Sequence, residues 1–544
     1  MYRFMRSARA RVASFILATL FLAAPGGGQP QPSDPSQPIA ASQTLHGELA
    51  ISLEEALGMA IENNLNVEIV RYDPLIASEQ AIAAWGSYDP VASADGTWYR
   101  NQTPVASELQ GGLSLIKEDE IGGFGGIRGL VPKLGWSYEV GYSGSRIESN
   151  SAIQSLSPEY RSGVTASIAL PVLRGFLWGE AWTLVKTSQV FEDQSYEEFR
   201  LQLMDIITSV ENAYWNVIAT REQLKVANKS VETAAALLEQ TQAQYEVGVV
   251  SKVEVVESEA GVADRDFNRI VAENTYLRAQ DTLIDLVLGP HLTPDSQLEL
   301  RPTTEPDVVD YQVDPDAAAQ RAFEHRPELL IAAFVVENQE LNLKFAKNQR
   351  LPQLDIVGSY GYAGLAGRTN PAPGFGDGPR APIPIDDRYD DTHSDYFTES
   401  GARSWSAGAV LSFPIGKIRE RADVRRSRLE IRRAKTQVRR VEQDIILEVR
   451  DAVRTLRSSI EGIEASTENM EAAQEQLRAE QIRLEHGEST PFEVLQREED
   501  LVQAESQHIG SLQTYRNSVT ALDRRQGTIL RDRGIVVDDA LALR

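Results

Sequence analysis

The chain has 544 residues, a formal net charge of −25 and no cysteine. So acidic a balance excludes a nucleic-acid surface, whose phosphates need clustered Lys and Arg. The missing thiols exclude disulfides, thiolate metal sites, cysteine nucleophiles and a lipid-modified N-terminal Cys.

At the N-terminus Arg3, Arg6, Arg9 and Arg11 precede the apolar run VASFILATLFLAA. This is the charged and apolar plan of a secretory signal, too short for a comfortable membrane span. Residues 1–28 are read as that signal. Residues 29–50, rich in Pro, Gln and Ser, form a flexible lead that packs no core. Beyond it no apolar stretch reaches the length of a transmembrane helix, so a bilayer, if crossed, is crossed by strands.

A first helix is expected from Ser52 to Tyr88, with Pro74 kinking or splitting it. Strands follow. WSYEVGY (136–142) and VTASIALP (164–171) alternate apolar or aromatic residues with small and polar ones, the weak alternation of a membrane β-barrel. The Gly-rich stretch from Gly111 to Gly135 lengthens this region and has room for a further hairpin, which leaves the strand count over 91–172 open. From Gly179 to Glu246 the pattern is helical with neither Pro nor an internal Gly; at about 1.5 Å per residue it spans about 100 Å, too long for a globular core. It stops at YEVGVVSKVEV, where Gly248 ends one helix and Ser251 opens another that runs to Leu288.

After a linker over 290–314 the plan repeats. At one fixed offset AIENNLNV (60–67) falls on AFEHRPEL (322–329) and YDPVASADGTW (88–98) on RLPQLDIVGSY (350–360), so that Glu62 meets Glu324, Pro90 meets Pro352 and Gly96 meets Gly358. LDIVGSYGY (354–362) and WSAGAVLSF (405–413) supply alternating strands on either side of a Gly/Pro/Asp-rich loop, which barrel topology places outside the cell. A second long helix runs from Lys417 to Glu485, and LEHGESTPFEV repeats the Gly turn with Gly487 and Thr490. Two structural repeats, 51–289 and 315–530, and a C-terminal tail over 531–544 account for the rest.

In the second long helix Val424, Ser427, Ile431, Ala434, Val438, Val441 and Ile445 alternate spacings of three and four, the seam of a coiled coil. The rod needs partner rods. Rows of Arg at 425, 432 and 439 and at 426, 433 and 440 read as a solvated face with ion pairs, or as a basic lining of a lumen. About four strands per chain cannot close a barrel. Three copies give about twelve, enough for an open lumen; a water-soluble sheet packed on the helices is the alternative. Nothing supports catalysis: the six histidines show no close pair at zinc-ligand spacing, and GGFGGIRG lacks the Lys-Ser/Thr of a phosphate loop. No catalytic, cofactor or metal site is expected.

Over nearly all of its mature length the chain resembles the TolC-like outer membrane efflux protein family. ISLEEALGMAIENNLNV and DAAAQRAFEHRPEL, the prolines ending each first helix, ALPVLRG against LSFPIGK, and YEVGVVSKVEVVESEA with LEHGESTPFEVLQREED carry the resemblance as an ordered, duplicated set. It implies a mainly α fold with β: a homotrimer whose shared 12-stranded β-barrel lies in the outer membrane lipid and continues into a long periplasmic α-helical barrel. It further implies an exit duct of a tripartite efflux pump or type I secretion system, with an inner membrane RND or ABC transporter and a periplasmic adaptor docking at the tip. Under it Gly248, Val249, Ser251, Gly487, Ser489 and Thr490 form the tip turns and adaptor contact. Glu254 and Glu493 match gate-ring carboxylates, with Glu257 and Gln496 one turn on. A capping box explains Ser251-x-x-Glu254 equally well. A periplasmic coiled-coil scaffold or adaptor without a pore is the competing function; it has no need of duplicated strands.

Overall fold

The computed structural model describes residues 46–105, 113–289, 297–309, 313–370, 382–383, 385, 387–394, 396 and 402–541. The segment read as an export signal and nearly all of the lead lie outside them. The end of the lead and part of the linker are strands: β1 (His46–Ile51) pairs in parallel with β6 (Gln297–Pro302).

The first helix divides, but not at Pro74. α1 (Leu53–Asn63) and α2 (Leu65–Trp85) part at Asn64, whose Oδ1 accepts from the Asn66 and Val67 amides at 2.8 and 3.2 Å. Pro74 sits buried inside α2. The capping amide satisfies the free donors of the second helix, whereas Pro74 only removes one donor from a helix held by its neighbours. The second repeat breaks at the matching position, Arg326, between α5 (Pro315–His325) and α6 (Pro327–Gln349), where Pro327 supplies the preset φ of a first helical residue.

Each repeat then sends strands away from the helices and brings them back to a rod. The rods are α3 (Glu180–Glu246, 67 residues) and α7 (Ile418–Glu485, 68 residues), each about 100 Å long. The returning helices are α4 (Lys252–Leu288) and α8 (Pro491–Gln526). The end of α4 abuts the start of α2: Asn64 Nδ2 donates to the Leu286 carbonyl at 2.8 Å. The end of α8 abuts the start of α6, and a Cβ on Gly527 would stand 2.8 Å from the His325 carbonyl carbon. Two composite columns thus lie beside two continuous rods, as the helix lengths require. Seam residues Val424, Ser427, Ala434 and Ile445 are buried and the Arg rows are exposed, with Arg426 near Asp423 (3.4 Å) and Arg440 on Asp444 (2.9 Å).

The cores follow this plan. In the first half Phe199, Leu203, Ile207 and Tyr214 of α3 pack with Leu283 and Val287 of α4 and with Ile51; in the second, Ile445, Val449 and Leu456 of α7 pack with Tyr515 and Leu522 of α8. Tyr214 is fully buried, and its hydroxyl donates to the Ile51 carbonyl (3.0 Å) while receiving the Thr303 and Thr304 amides at 3.2 and 3.0 Å. One side chain therefore fastens both short strands to the rod.

Among the described residues the antiparallel sheet has six strands, not about four. β2 (Val91–Pro104), β3 (Leu115–Leu130), β4 (Ser137–Ser149), β5 (Leu156–Pro171), β7 (Gln353–Thr369) and β8 (Ala402–Ser412) form one antiparallel sheet in the order β2-β3-β4-β5-β7-β8. The correction comes from residues 91–130, where glycines and small residues mask the alternation: Gly122, Gly123, Gly125, Gly126 and Gly129 all lie in β3. Among the described residues no helix is long and apolar enough to cross a membrane.

Candidate functional site

Two regions carry the functional signals, one at each end of the rods. At the helical end Gly248 and Gly487 adopt φ of 78° and 76°, the left-handed conformation that costs glycine nothing. The hydrogen bonds agree. Gly248 N–H donates to Tyr245 O (2.9 Å) and Val249 N–H to Gln244 O (2.9 Å); Gly487 N–H donates to Leu484 O (3.0 Å) and Glu488 N–H to Arg483 O (2.8 Å). Both turns are the same Schellman closure, in which two amides beyond the helix satisfy its last carbonyls.

The caps that follow differ. Ser251 opens α4, and the half-buried Glu254 carboxylate reaches back to accept the Ser251 amide at 2.5 Å. Thr490 opens α8, its hydroxyl accepting the Glu493 amide at 3.4 Å. The Ser489 hydroxyl lies between the carboxylates of Glu480 and Glu493, 2.8 Å from the latter. With Arg483 at 3.1 Å, that hydroxyl holds the Glu480 carboxyl below the usual carboxylate range. Glu493, on the first turn of its helix, and Glu257 and Gln496, one turn on in the returning helices, are exposed. Within one chain, then, Glu254 caps its helix and Glu493 joins a small hydroxyl–carboxylate cluster. Around both turns Val247, Val249, Val253, Ile482 and Phe492 are exposed, an apolar rim of which the sequence reading named only Val249.

Behind the tip lies a pair that sequence reasoning missed. Arg265 of α4 and Glu498 of α8 are both buried, 3.7 Å apart. Arg265 donates to the Leu495 carbonyl at 2.8 Å, while neither Glu498 carboxylate oxygen nor Arg265 Nε has a hydrogen-bond partner. Burial pushes the Glu498 carboxyl up to about 7, against the pull of Arg265, and Glu499 adds to the rise. Ala234, Leu237, Leu477, Val494 and Leu495 surround the contact, so it joins the two helical hairpins just inside their tips. No local motif announces it, because its partners come from different repeats.

A second missed network belts the middle of the rods. Arg326 pairs with Glu328 (2.6 Å) and Glu448 (2.7 Å), Arg524 with Asp205 (2.6 Å), and Arg533 with Glu211 (2.6 Å) and Asp523 (3.0 Å). It ties α6, α7 and α8 to α3 where the composite helices are divided. Burial raises the Asp523 carboxyl to about 6 despite Arg533.

At the other end the sheet has two chemically distinct faces. Register places Trp98 opposite Ile121, Ile127 opposite Val140, Val140 opposite Ala166, Ala166 opposite Tyr360, and Tyr360 opposite Trp405. These residues share one face, since side chains alternate along a strand. The other face carries Ser93, Thr97, Glu139, Thr165, Ser359 and Ser406, all one position removed. Apolar outside with aromatics and polar inside is the membrane-barrel pattern. The long β7–β8 connection, expected outside the cell, folds back in its described part: residues Tyr389–His393 cover the apolar face at its far end, where Gly144 and Gly364 leave no room for a Cβ. There the Tyr142 hydroxyl meets that of Tyr389 at 2.5 Å and His393 Nε2 at 2.6 Å.

This architecture has known counterparts. The CmeC outer membrane channel of Campylobacter jejuni superposes with a TM-score of 0.61 at 13% identity, over 88% of this chain and 86% of that one. The open-state MtrE outer membrane channel of Neisseria gonorrhoeae gives 0.57 at 15%, over 88% and 89%. In sequence, the outer membrane protein TolC of Vibrio cholerae is 20% identical over 182 residues, which span 34% of this chain and 41% of that protein. Residues 128–287 and 318–528, well over half of the chain, match the model of the outer membrane efflux proteins, and the chain belongs to that family.

Proposed function

We propose that the protein is an outer membrane export channel: the passive exit duct of a tripartite efflux pump or type I secretion system, inserted in outer membrane lipid and extending into the periplasm. The observation that carries the reading is the joining of a two-faced antiparallel sheet to rods of about 100 Å that end in matched glycine turns. A homotrimer supplies partner rods for the exposed flanks. The apolar rim at Val247, Val249 and Phe492, with Ser251, Ser489 and Thr490 beside it, is the surface offered to a periplasmic adaptor, and an inner membrane RND or ABC transporter supplies the energy. A pore-free scaffold has no use for a sheet with a broad apolar and aromatic face.

In the trimer three copies of Glu493, with Glu254 behind them, ring the entrance and disfavour anions. The test is planar-bilayer conductance of the detergent-extracted protein, with its mass by light scattering. Discrete cation-preferring channels that Glu254→Gln with Glu493→Gln makes less selective support duct and gate. Unchanged conductance and selectivity in the double variant remove the gate ring; a water-soluble species without conductance removes the duct.

A further inference from the structure

We propose that the assembled barrel has eighteen strands, closed by antiparallel pairing of β8 of one copy with β2 of the next, so that the membrane conduit is about half again as wide as the twelve strands expected from sequence. The proposal rests on the trimeric channel reading above.

The additional strands belong to the wall of the sheet. β3 pairs with β4 from Leu130 and Ser137 to Glu118 and Ser149, and β4 with β5 from Ser137 and Ala169 to Ile147 and Glu159. The hairpin therefore spans the full height. Its turn is short and sits at the helical end: Gly135, with φ of 70°, leaves a Cβ only 2.7 Å from the Gly175 carbonyl oxygen, on the segment leading into α3. Short turns on the periplasmic side and long loops on the other are the habit of membrane barrels. Chemistry agrees with topology on the helical half of the hairpin, where Ile127 of β3 and Tyr138 and Val140 of β4 carry the apolar face across; toward the far end the same face bears Arg146 opposite Ile121 and Arg100 opposite Asp119. A hairpin standing outside the membrane would need no such face. The family match begins only at residue 128, so β2 and most of β3 precede it.

The edges then dictate the partner. Every residue of β2 and of β8 is exposed in the single chain, and each edge presents unpaired amides and carbonyls. In hydrocarbon each such group costs several kcal/mol. β2 runs away from the helices, leaving α2, and β8 runs back toward them, entering α7. Set side by side in neighbouring copies they are antiparallel, and the up–down alternation of the six strands continues around the ring with like faces aligned. A second copy of this chain is the occupant that satisfies both edges at once.

Because the chain has no cysteine, engineered thiols report this contact without background. Thr97→Cys in β2 is combined in the full-length chain, one at a time, with Ser404→Cys, Ser406→Cys, Gly408→Cys and Val410→Cys in β8, all on the polar face. Oxidation in outer membranes is expected to give covalent dimers and trimers for at least one adjacent pair and none for single variants. Electron microscopy of the wild-type particle then counts eighteen strands under threefold symmetry. Absence of product across the scan, a threefold particle with twelve strands and a hairpin outside the wall, or two copies closing a twelve-stranded barrel would each overturn the proposal while leaving a channel. A water-soluble monomer would instead overturn the channel reading on which it rests.

Discussion

Replacing Glu498 by Gln removes a charge that the packing of α4 against α8 keeps out of water. The carboxyl stands at about 7 against an ordinary 4.5, and at about 1.4 kcal/mol per unit the displacement is worth about 3 kcal/mol. The direction follows from proton counting. Between these two values the folded tip holds a proton that the opened tip has released, so the contribution is complete below about pH 4.5 and is lost as the pH rises through about 7. Wild-type tip helices therefore open more readily at pH 8 than at pH 4, with protection from amide exchange falling by about a hundredfold once intrinsic exchange is corrected. Asp523, raised to about 6, responds in the same direction but in the belt of charges at mid-rod; exchange read separately around residues 261–265 and 494–498 isolates the tip. Glu498→Gln keeps the shape and loses the titration, so its protection profile there is flat and lies above the wild type at pH 8. Parallel profiles in the two proteins would refute the argument, because the pH response would then come from another group.

The turn glycines give a graded series. At Gly487 and Gly248 a Cβ meets nothing within 4 Å, so Ala there pays only the left-handed backbone, about 1–2 kcal/mol, and amide exchange at Glu488 or Val249 quickens about 5–30-fold. Gly527 has the same φ, 76°, but its Cβ would stand 2.8 Å from the His325 carbonyl carbon and 2.9 Å from the Arg326 amide; Gly527→Ala is expected to lower the yield of folded, detergent-extractable protein, which neither tip variant does, and equal behaviour of all three would remove the steric distinction. Tyr214→Phe leaves the Thr303 and Thr304 amides without their acceptor, a loss of about 1–3 kcal/mol, read as faster exchange of those two amides with the tip unaffected.

The sequence showed most where one residue type has a single physical use. Glycine at the end of a long helical pattern requires positive φ, and both tip turns have it. The stretch from Glu180 to Glu246, free of Pro and Gly, can only be a rod, and a spacing of three and four fixes the buried seam of α7. Legibility failed where a signal is shared or non-local. Pro74 is the stronger helix breaker in isolation, yet the helix divides at Asn64, whose amide caps one helix and bonds the end of another at once. β3 was hidden because five glycines carry no hydropathy of their own; their place on the faces is visible only once neighbouring strands are paired. Arg265 and Glu498 lie in different repeats, and an acidic chain offers many such candidates. Neither their burial nor their pairing is a property of local sequence.

Duplication also explains why the two halves could diverge where they did. The helical part is bound by matched junctions, with Asn64 against Leu286 in one half and Arg326 beside Gly527 in the other, so a change of length there would shift both columns against their rods. The sheet has no such constraint. The first half contributes β2 to β5 and the second only β7 and β8, yet β2 still begins beyond α2 and β5 still leads into α3. A hairpin added between them leaves every strand–helix connection in place. In the proposed barrel its effect is confined to the circumference of the sheet, while the tip, with its four helices per chain, keeps its dimensions. In the proposed trimer the ring of Glu254 and Glu493 then keeps its width however wide the barrel becomes, and the proposed selectivity follows the tip carboxylates and not the strand number.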